Sequence, residues 1–275
     1  NSGIEIDLGG DIIRKRDFNW ELKVNASTVK NVITKMPDDN PEQISGTKKL
    51  VEGRSIYDYW LRDWYGVDPS DGAALYYAQN GTAAGTRLIP NKNGGVDSLT
   101  TSINNAKYHF EGSAIPDLFG GVENTFTFKN VSLNFLVQYQ IGGKVYDGAY
   151  GALMHAGTYG SALHKDILKR WTKPGDITNV PRMQNNATGI FDAASDRWLI
   201  DASFINIRSI TLSYQLPKTL LGKIKAADGN FYIGSENVAL ISKRKGMNVN
   251  QSFAGTTSNV YTPARILTAG ININF

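Results

Sequence analysis

The sequence contains no cysteine among its 275 residues. A disulfide framework, a zinc–thiolate site and a cysteine nucleophile are therefore excluded. No stretch approaches the roughly 20 consecutive apolar residues that a membrane-spanning helix needs. With a mean hydropathy of −0.29, the chain is not a helical membrane protein. A membrane β-barrel stays open, because its strands alternate polar and apolar residues and look soluble on average.

Common motifs of catalysis and nucleotide binding are missing as well. The chain has no GxxxxGKS/T phosphate loop, no GxGxxG turn, no GxSxG elbow and no HExxH zinc helix. Its formal charge of +4 comes from 29 basic and 25 acidic residues spread along the chain, with no basic block interleaved with aromatics. We therefore expect no catalytic residue, no cofactor and no nucleic-acid partner.

The dominant pattern is two-residue alternation of apolar and polar side chains. Successive side chains of a strand point to opposite faces, so each such run predicts a strand with one apolar and one polar face. Seven runs fit, near residues 4–8, 18–26, 126–128, 131–141, 210–216, 231–241 and 267–275. Most predicted strands are longer than the five or six residues of a mean globular strand, and nearer the roughly 9–11 of a tilted membrane strand. This favours an all-β protein, an antiparallel transmembrane β-barrel.

The predicted connections alternate in length. Short links fall near 10–16, 129–130 and 217–229, and long segments at about 30–120, 142–201 and 242–260. Short periplasmic turns and long extracellular loops are typical of outer-membrane barrels. If the last strand ends in the periplasm, all three short links lie there, with an aromatic girdle of Phe18, Phe128, Tyr214 and Phe275 nearby. The alternative is a soluble antiparallel sandwich whose apolar face is the core.

The predicted barrel assigns each strand face an environment. The residues expected to face lipid are Trp20, Leu133, Val137, Leu212 and Ile271. Those expected to face the lumen or a plug are Glu21, Lys23, Gln138 and Asn272. Residues 268–275 also resemble the C-terminal signal by which bacterial outer-membrane barrels are recognised for insertion. In that resemblance Gly270, Ile273 and the terminal Phe275 carry the signal.

Several segments, in the same order, are similar to the SusC/RagA-type TonB-dependent transporters of Bacteroidetes outer membranes. They are YGVDPSDG at 65–72, GSAIPDLFGG at 112–121, RWTKPGD at 170–176, DASF at 201–204 and the closing segment 263–275. Residues 238–248 depart from the family's usual sequence, which leaves the end of the sixth strand and the following loop open. The resemblance implies that residues 1–275 are the C-terminal portion of such a barrel. The plug domain and the segment that contacts TonB then lie in an N-terminal part outside this chain.

The same resemblance implies a function and a set of partners. The function is TonB-dependent import of a large nutrient, an oligosaccharide or a peptide, across the outer membrane of a Gram-negative bacterium. The partners are the N-terminal part of the transporter, TonB, membrane lipid and a SusD-like surface lipoprotein that closes over the mouth. The alternative is a secreted or surface β-sandwich that binds carbohydrate and is soluble without detergent.

One predicted loop is unusually aromatic, with five aromatic residues in nine. They are Tyr57, Tyr59, Trp60, Trp64 and Tyr65. Three interpretations stay open. The rings pack the loop onto the barrel mouth, stack on the solute, or contact the partner lipoprotein.

Candidate metal ligands are sparse. The three histidines, His109, His155 and His164, fall in predicted loops. His164 and Asp166 form a pair without a third ligand. Asp68 and Asp71 could supply calcium oxygens, but aspartate with proline and glycine is also ordinary turn chemistry. We therefore expect no metal site.

Overall fold

The computed structural model describes residues 1–183, 192–244, 247, 249, 254–257 and 262–275. Within these residues the regular secondary structure is almost entirely β-strand. The strands are β1 (Ser2–Arg14), β2 (Phe18–Lys30), β3 (Glu42–Ser45), β4 (Lys48–Val51), β5 (Asp58–Arg62), β6 (Trp64–Val67), β7 (Ala74–Tyr77), β8 (Thr86–Pro90), β9 (Val96–Thr100), β10 (Tyr108–Ser113), β11 (Leu118–Phe128), β12 (Val131–Ile141), β13 (Lys144–Tyr146), β14 (Leu199–Asp201), β15 (Phe204–Gln215), β16 (Asp228–Ser242) and β17 (Ile266–Asn274).

The helical elements are short. They are the α-helices α1 (Gly148–Leu153) and α2 (Lys218–Lys223), and the 3-10 helices Lys165–Lys169 and Asp196–Trp198. None of the helices in the described ranges has the length and apolar character to cross a membrane.

The seven long strands form one sheet, which we call the wall sheet. Its order is β1-β2-β11-β12-β15-β16-β17, and every neighbouring pair is antiparallel. These are the seven strands that the alternation predicts, so the prediction of an antiparallel all-β chain is confirmed. The long strands lie in a single sheet and not in the two packed sheets of a sandwich.

Short and long connections leave opposite ends of the wall sheet. The short ones span 15–17, 129–130 and 216–227, and the long ones span 31–117, 142–203 and 243–265. The first short link is shorter than predicted, because Gly9 and Gly10 lie inside β1, opposite Lys23 and Leu22 of β2. The third short link holds α2. Part of the predicted loop 242–260 falls outside the described residues.

The cross-strand register separates the two faces of the wall sheet. One row on the apolar face contains Trp20, Phe126, Leu133, Leu212, Ile233 and Ala269. The next row toward the short connections contains Phe18, Phe128, Val131, Tyr214, Phe231 and Ile271. One row on the opposite face contains Glu21, Thr125, Asn134 and Thr211. One sheet surface is therefore apolar and rimmed by aromatics at one end, and the other is polar.

Two local features explain departures from strict alternation. Asn124 lies on the apolar face but accepts a hydrogen bond from the indole N–H of Trp20, at 3.0 Å. The register of β15 and β16 shifts next to Asn237, which has a φ of +50°. Such a bulge adds residues to one strand and disturbs its alternation. The two faces of the sixth predicted strand are poorly separated in sequence for this reason.

The long connections were predicted as loops, and they fold into further β-structure that we call the connection region. It contains the four-stranded sheets β10-β5-β4-β3 and β6-β7-β9-β8 and the pair β13-β14. These strands are three to six residues long. Their side chains supply part of the buried core, with Tyr59, Leu61, Leu75, Tyr76 and Leu99 almost fully enclosed, and residues outside the strands such as Met154 and Trp198 supply the rest.

Candidate functional site

The three long connections meet at Tyr59. This residue of β5 is fully buried. Its hydroxyl lies 2.9 Å from the carbonyl oxygen of Lys144 and also within hydrogen-bond distance of the Gly255 carbonyl. A Cβ at Gly255 would come within 2.4 Å of both the hydroxyl and the Cβ of Ala114. Burial raises the pKa of Tyr59 well above its usual value. The residue is a packing centre that joins segments distant in sequence.

Lys48 of β4 lies against the Tyr59 ring. Its Nζ is 3.1 Å from the ring centroid and donates a hydrogen bond of 2.6 Å to the carbonyl oxygen of Tyr57. Burial lowers the pKa of Lys48 to about 7, although Asp58 opposes the shift. The Tyr59 side of the sheet is therefore an interior that disfavours positive charge.

The opposite side of β5 carries an aromatic cluster around Trp60. Its ring stacks on Tyr108 with centroids 5.9 Å apart and lies 4.7 Å from the Phe110 centroid. Lys49 and Arg54 lie over the Trp60 and Phe110 rings, at 4.7 and 4.3 Å from their centroids. Cations at these distances are attracted to the faces of aromatic rings. The half-buried cluster combines flat apolar surface with positive charge.

Trp64 and Tyr65 differ in exposure. Trp64 is half-buried, edge-on to Tyr76 with centroids 5.2 Å apart, and the Arg197 guanidinium lies 4.6 Å from its ring. Tyr65 is 36% exposed and makes a T-shaped contact with Tyr77. The aromatic loop is thus divided between interior and surface. Tyr59 packs inside, Tyr57, Trp60 and Trp64 are half-buried, and Tyr65 is exposed.

The aspartates of the DPSDG turn are bound by an arginine. Arg87 donates to both carboxylate oxygens of Asp71, at 2.8 and 3.0 Å, and also pairs with Asp68. Arg87 holds the pKa of Asp71 below its usual value. Burial alone would raise the pKa of Asp68. Hydrogen bonds from Ser70 and Arg87 outweigh this effect, so the pKa of Asp68 is also lowered. The Arg87 guanidinium therefore neutralises the two carboxylates in the place where a calcium ion would bind.

Two segments of the family resemblance contact each other at Gly72. Its φ is +73°, and a Cβ there would lie 2.4 Å from the Trp171 ring. The Trp171 indole N–H donates to the carbonyl oxygen of Pro69, at 3.0 Å. A glycine is required here both for the left-handed backbone and for the close approach of the indole. The turn at 65–72 and the segment at 170–176 thus form one packed unit.

The structure brings together three side chains that sequence reasoning did not connect. His109 Nε2 lies 3.2 Å from Asp196 Oδ2 and 4.0 Å from Asp63 Oδ1. The potential ligand atoms of the three residues all lie within 4.8 Å of one another. Burial raises the pKa of both aspartates. His109 and Asp196 are 87 positions apart, so no local spacing could reveal the cluster.

The other histidines have structural partners. His164 Nδ1 accepts the backbone N–H of Asp166 at 3.2 Å, and the Asp166 carboxylate accepts a hydrogen bond from the Tyr150 hydroxyl at 3.0 Å and pairs with Lys169 at 2.8 Å. His155 Nδ1 accepts the backbone N–H groups of Gly157 and Thr158. Both histidines stabilise local turns.

The residues of the predicted insertion signal lie on the edge strand β17. Gly270 faces Tyr232, and a Cβ at this glycine would come within 2.6 Å of the Tyr232 ring. Ile273 pairs with Gly229 of β16. Phe275 follows the end of β17 and is 86% exposed. Gly270 therefore has a packing role, and recognition for insertion stays a prediction.

Comparison with known proteins connects this architecture to one group of receptors. No family model matches the chain. TonB-dependent receptor P3 of Formosa agariphila is 23% identical over 300 residues, and the match covers the whole chain and 28% of that receptor. TonB-dependent receptor SusC of Bacteroides thetaiotaomicron is 23% identical over 279 residues, again over the whole chain and 26% of the receptor. This chain is related to the TonB-dependent receptors, SusC among them.

The structural comparison agrees with that relationship. A chain of the RagAB peptide transporter superposes with a TM-score of 0.83 at 21% identity, over 99% of this chain and 29% of that one. A second structure, of the RagAB peptide importer in its closed-closed state, gives a TM-score of 0.80. The fold is therefore shared with part of that transporter. The chain spans under a third of the length of the receptors it matches.

Proposed function

We propose that this chain is part of an outer-membrane β-barrel that imports a large nutrient with energy delivered through TonB. The observation that carries the proposal is the two-faced wall sheet, whose apolar face exposes large side chains such as Leu212 and Ile233. Exposed apolar patches of this extent are rare in soluble monomers. The relationship to TonB-dependent receptors supports the same interpretation.

In this proposal the apolar face contacts lipid and the polar face lines the lumen. Each membrane strand must pair on both sides, because an unpaired backbone group in hydrocarbon costs several kcal/mol. Among the described residues, β1 and β17 each pair on one side only. The remaining strands, the plug and the TonB-contacting segment then belong to another, N-terminal part of the same receptor.

The proposed orientation follows from the two ends of the wall sheet. The short connections lie in the periplasm, and the row containing Phe18, Phe128, Tyr214 and Phe231 lies at that interface, where aromatic side chains are enriched. The connection region then forms the extracellular mouth. There we place the contacts with a SusD-like lipoprotein and with the solute, an oligosaccharide or a peptide. Among the predicted contact residues, Tyr65 is exposed and Tyr57, Trp60 and Trp64 are half-buried, so these four are the candidates for such contacts. We expect no catalytic activity, since the work of import is done by conformational change.

Native extraction in mild detergent, followed by mass spectrometry of everything that co-purifies, tests this proposal. We expect this sequence in the outer-membrane fraction, as part of a larger polypeptide that also contains a plug domain. A surface lipoprotein should co-purify with it. Uptake of labelled oligosaccharides and labelled peptides by cells with and without the gene then separates the two solute classes. A soluble species of about 30 kDa, free of membrane partners, would contradict the proposal.

A further inference from the structure

We propose that Asp63, His109 and Asp196 bind a divalent transition-metal ion. The three side chains come from different parts of the connection region. Asp63 links β5 to β6, His109 lies in β10, and Asp196 begins the 3-10 helix Asp196–Trp198. A bound ion would therefore fasten connection 31–117 to connection 142–203. The inference departs from the expectation, drawn from sequence, that the chain has no metal site.

The ligand atoms are already arranged around a common point. His109 Nε2 is 3.2 Å from Asp196 Oδ2 and 4.0 Å from Asp63 Oδ1. Ligand atoms about 2.0–2.2 Å from one metal ion lie roughly 3–4 Å from one another. The second oxygen of Asp196 accepts the backbone N–H of Trp64 at 2.9 Å. That bond holds the carboxylate so that Oδ2 faces the histidine.

The Asp63 carboxylate lies in a partly desolvated position that faces His109. Its side chain is only 20% exposed, and within the described ranges no donor lies within hydrogen-bond distance of its oxygens. A carboxylate partly removed from water is destabilised to that extent, and a positive charge or a donor compensates it. A metal ion between Asp63 and His109 would provide that compensation.

Glu111 lies near the second ring nitrogen of His109, beyond hydrogen-bond distance, at the place where metal-binding histidines usually have a supporting carboxylate. Its carboxylate lies 3.8 Å from His109 Nδ1, on the side of the ring away from Asp63 and Asp196. Glu111 is itself held by an ion pair with Lys144. Histidine ligands commonly donate their second ring N–H to a carboxylate, which fixes the tautomer that leaves the other nitrogen free for the metal.

The donor set indicates the class of ion. One imidazole nitrogen and two carboxylate oxygens suit Zn²⁺ or Mn²⁺, whereas Ca²⁺ and Mg²⁺ prefer oxygen ligands throughout. Three protein ligands leave at least one position for water. Because two connections supply them, we expect the ion to stabilise the connection region.

Isothermal titration of the metal-stripped, full-length receptor in detergent with Zn²⁺ and with Mn²⁺ tests the inference. We expect one site that Asp63→Asn or His109→Gln weakens at least about 100-fold, and that Glu111→Gln weakens by about 10-fold. His164→Gln is the matched control. It also removes a histidine beside an aspartate, Asp166, but these two residues belong to no group of three potential ligands among the described residues. Metal binding should therefore be unchanged in this variant. Added Zn²⁺ should raise the thermal unfolding midpoint of the parent and of His164→Gln, but not that of Asp63→Asn or His109→Gln.

A second measurement does not depend on the variants folding. Pulsed electron paramagnetic resonance of the unmodified receptor with one equivalent of Mn²⁺ should show the nitrogen modulation of a single imidazole ligand. No binding by the parent, equal binding by Asp63→Asn and the parent, or Mn²⁺ without an imidazole signal would each overturn the inference.

Discussion

The wall sheet and the connection region are built from the same antiparallel pairing but place their apolar side chains differently. In the wall sheet, Leu267 and Ile271 are 79% and 59% exposed. In the connection region, Tyr76 and Leu99 are fully buried. Within the described residues the apolar face of the wall sheet stays exposed, whereas the connection region buries a core of its own. In the proposed transporter, the boundary between membrane and water runs between the two regions.

The sharpest test of this contrast is a charge placed on either face of the wall sheet. Val137 lies on the apolar face opposite Val122 and Ile207, and Gln138 lies on the polar face opposite Gly121. An arginine on a lipid face costs about 2–4 kcal/mol near the bilayer centre, but little in a polar lumen. We expect Val137→Arg to block assembly and Gln138→Arg to be tolerated. Heat-modifiable mobility of outer-membrane material measures the folded fraction.

Equal tolerance of the two arginines would contradict a lipid-facing wall. Equal loss would indicate a sheet buried on both faces. Phe135→Arg, one alternation step from Val137 on the same face, should repeat the Val137→Arg result. Val137→Arg and Phe135→Arg, compared with Gln138→Arg, therefore test which face of β12 is apolar, and not how well β12 tolerates substitution in general.

In the connection region, the comparable test is a methyl group added at Gly72. Gly72 and Gly85 have similar φ values, +73° and +81°, but a Cβ at Gly72 meets the Trp171 ring, while Gly85 has open space around it. Alanine in this conformation costs about 1–2 kcal/mol at either position. Gly72→Ala should therefore be the more damaging variant, because it must also displace the indole.

The rate of limited trypsin digestion after Arg170, the residue before Trp171, measures the effect. We expect faster cleavage in Gly72→Ala and a rate near that of the parent in Gly85→Ala. Similar rates in the two variants would show that the contact between the segments 65–72 and 170–176 does not hold the connection region together.

The two regions also differ in how far sequence could predict them. The wall strands pair mainly with chain neighbours, and one exposed apolar face imposes a two-residue period, so residues 131–141 could be predicted to the residue. The strands of the connection region are too short for a period to appear. Their contacts join distant segments, as when Tyr59 reaches Lys144 and Gly255. His109 could not be linked to Asp63 and Asp196, because folding alone brings them together.

The smallest effect that we expect is a change in the free energy of unfolding when Lys48 is replaced. Lys48 lies in the interior of the connection region, and the wall sheet has no comparable interior among the described residues. Burial lowers the pKa of Lys48 from 10.5 to about 7. Between these values the unfolded chain binds more protons than the folded one, so the free energy of unfolding rises with pH from about 7 to 10.5. Lys48→Met should remove this dependence and raise the unfolding midpoint near pH 7 by on the order of 2–4 °C.

Tryptophan fluorescence of the receptor in detergent, followed during heating at several pH values, checks this prediction. The gain of Lys48→Met over the parent should shrink as the pH approaches about 10.5, where the lysine is neutral in both states. Lys48→Arg is the informative control, because arginine stays charged over this range and should gain no stability with pH. A gain of Lys48→Met that does not change with pH would mean that packing alone is responsible. The Tyr59 side of β5 would then tolerate charge, and it would differ less from the proposed lipid-facing wall.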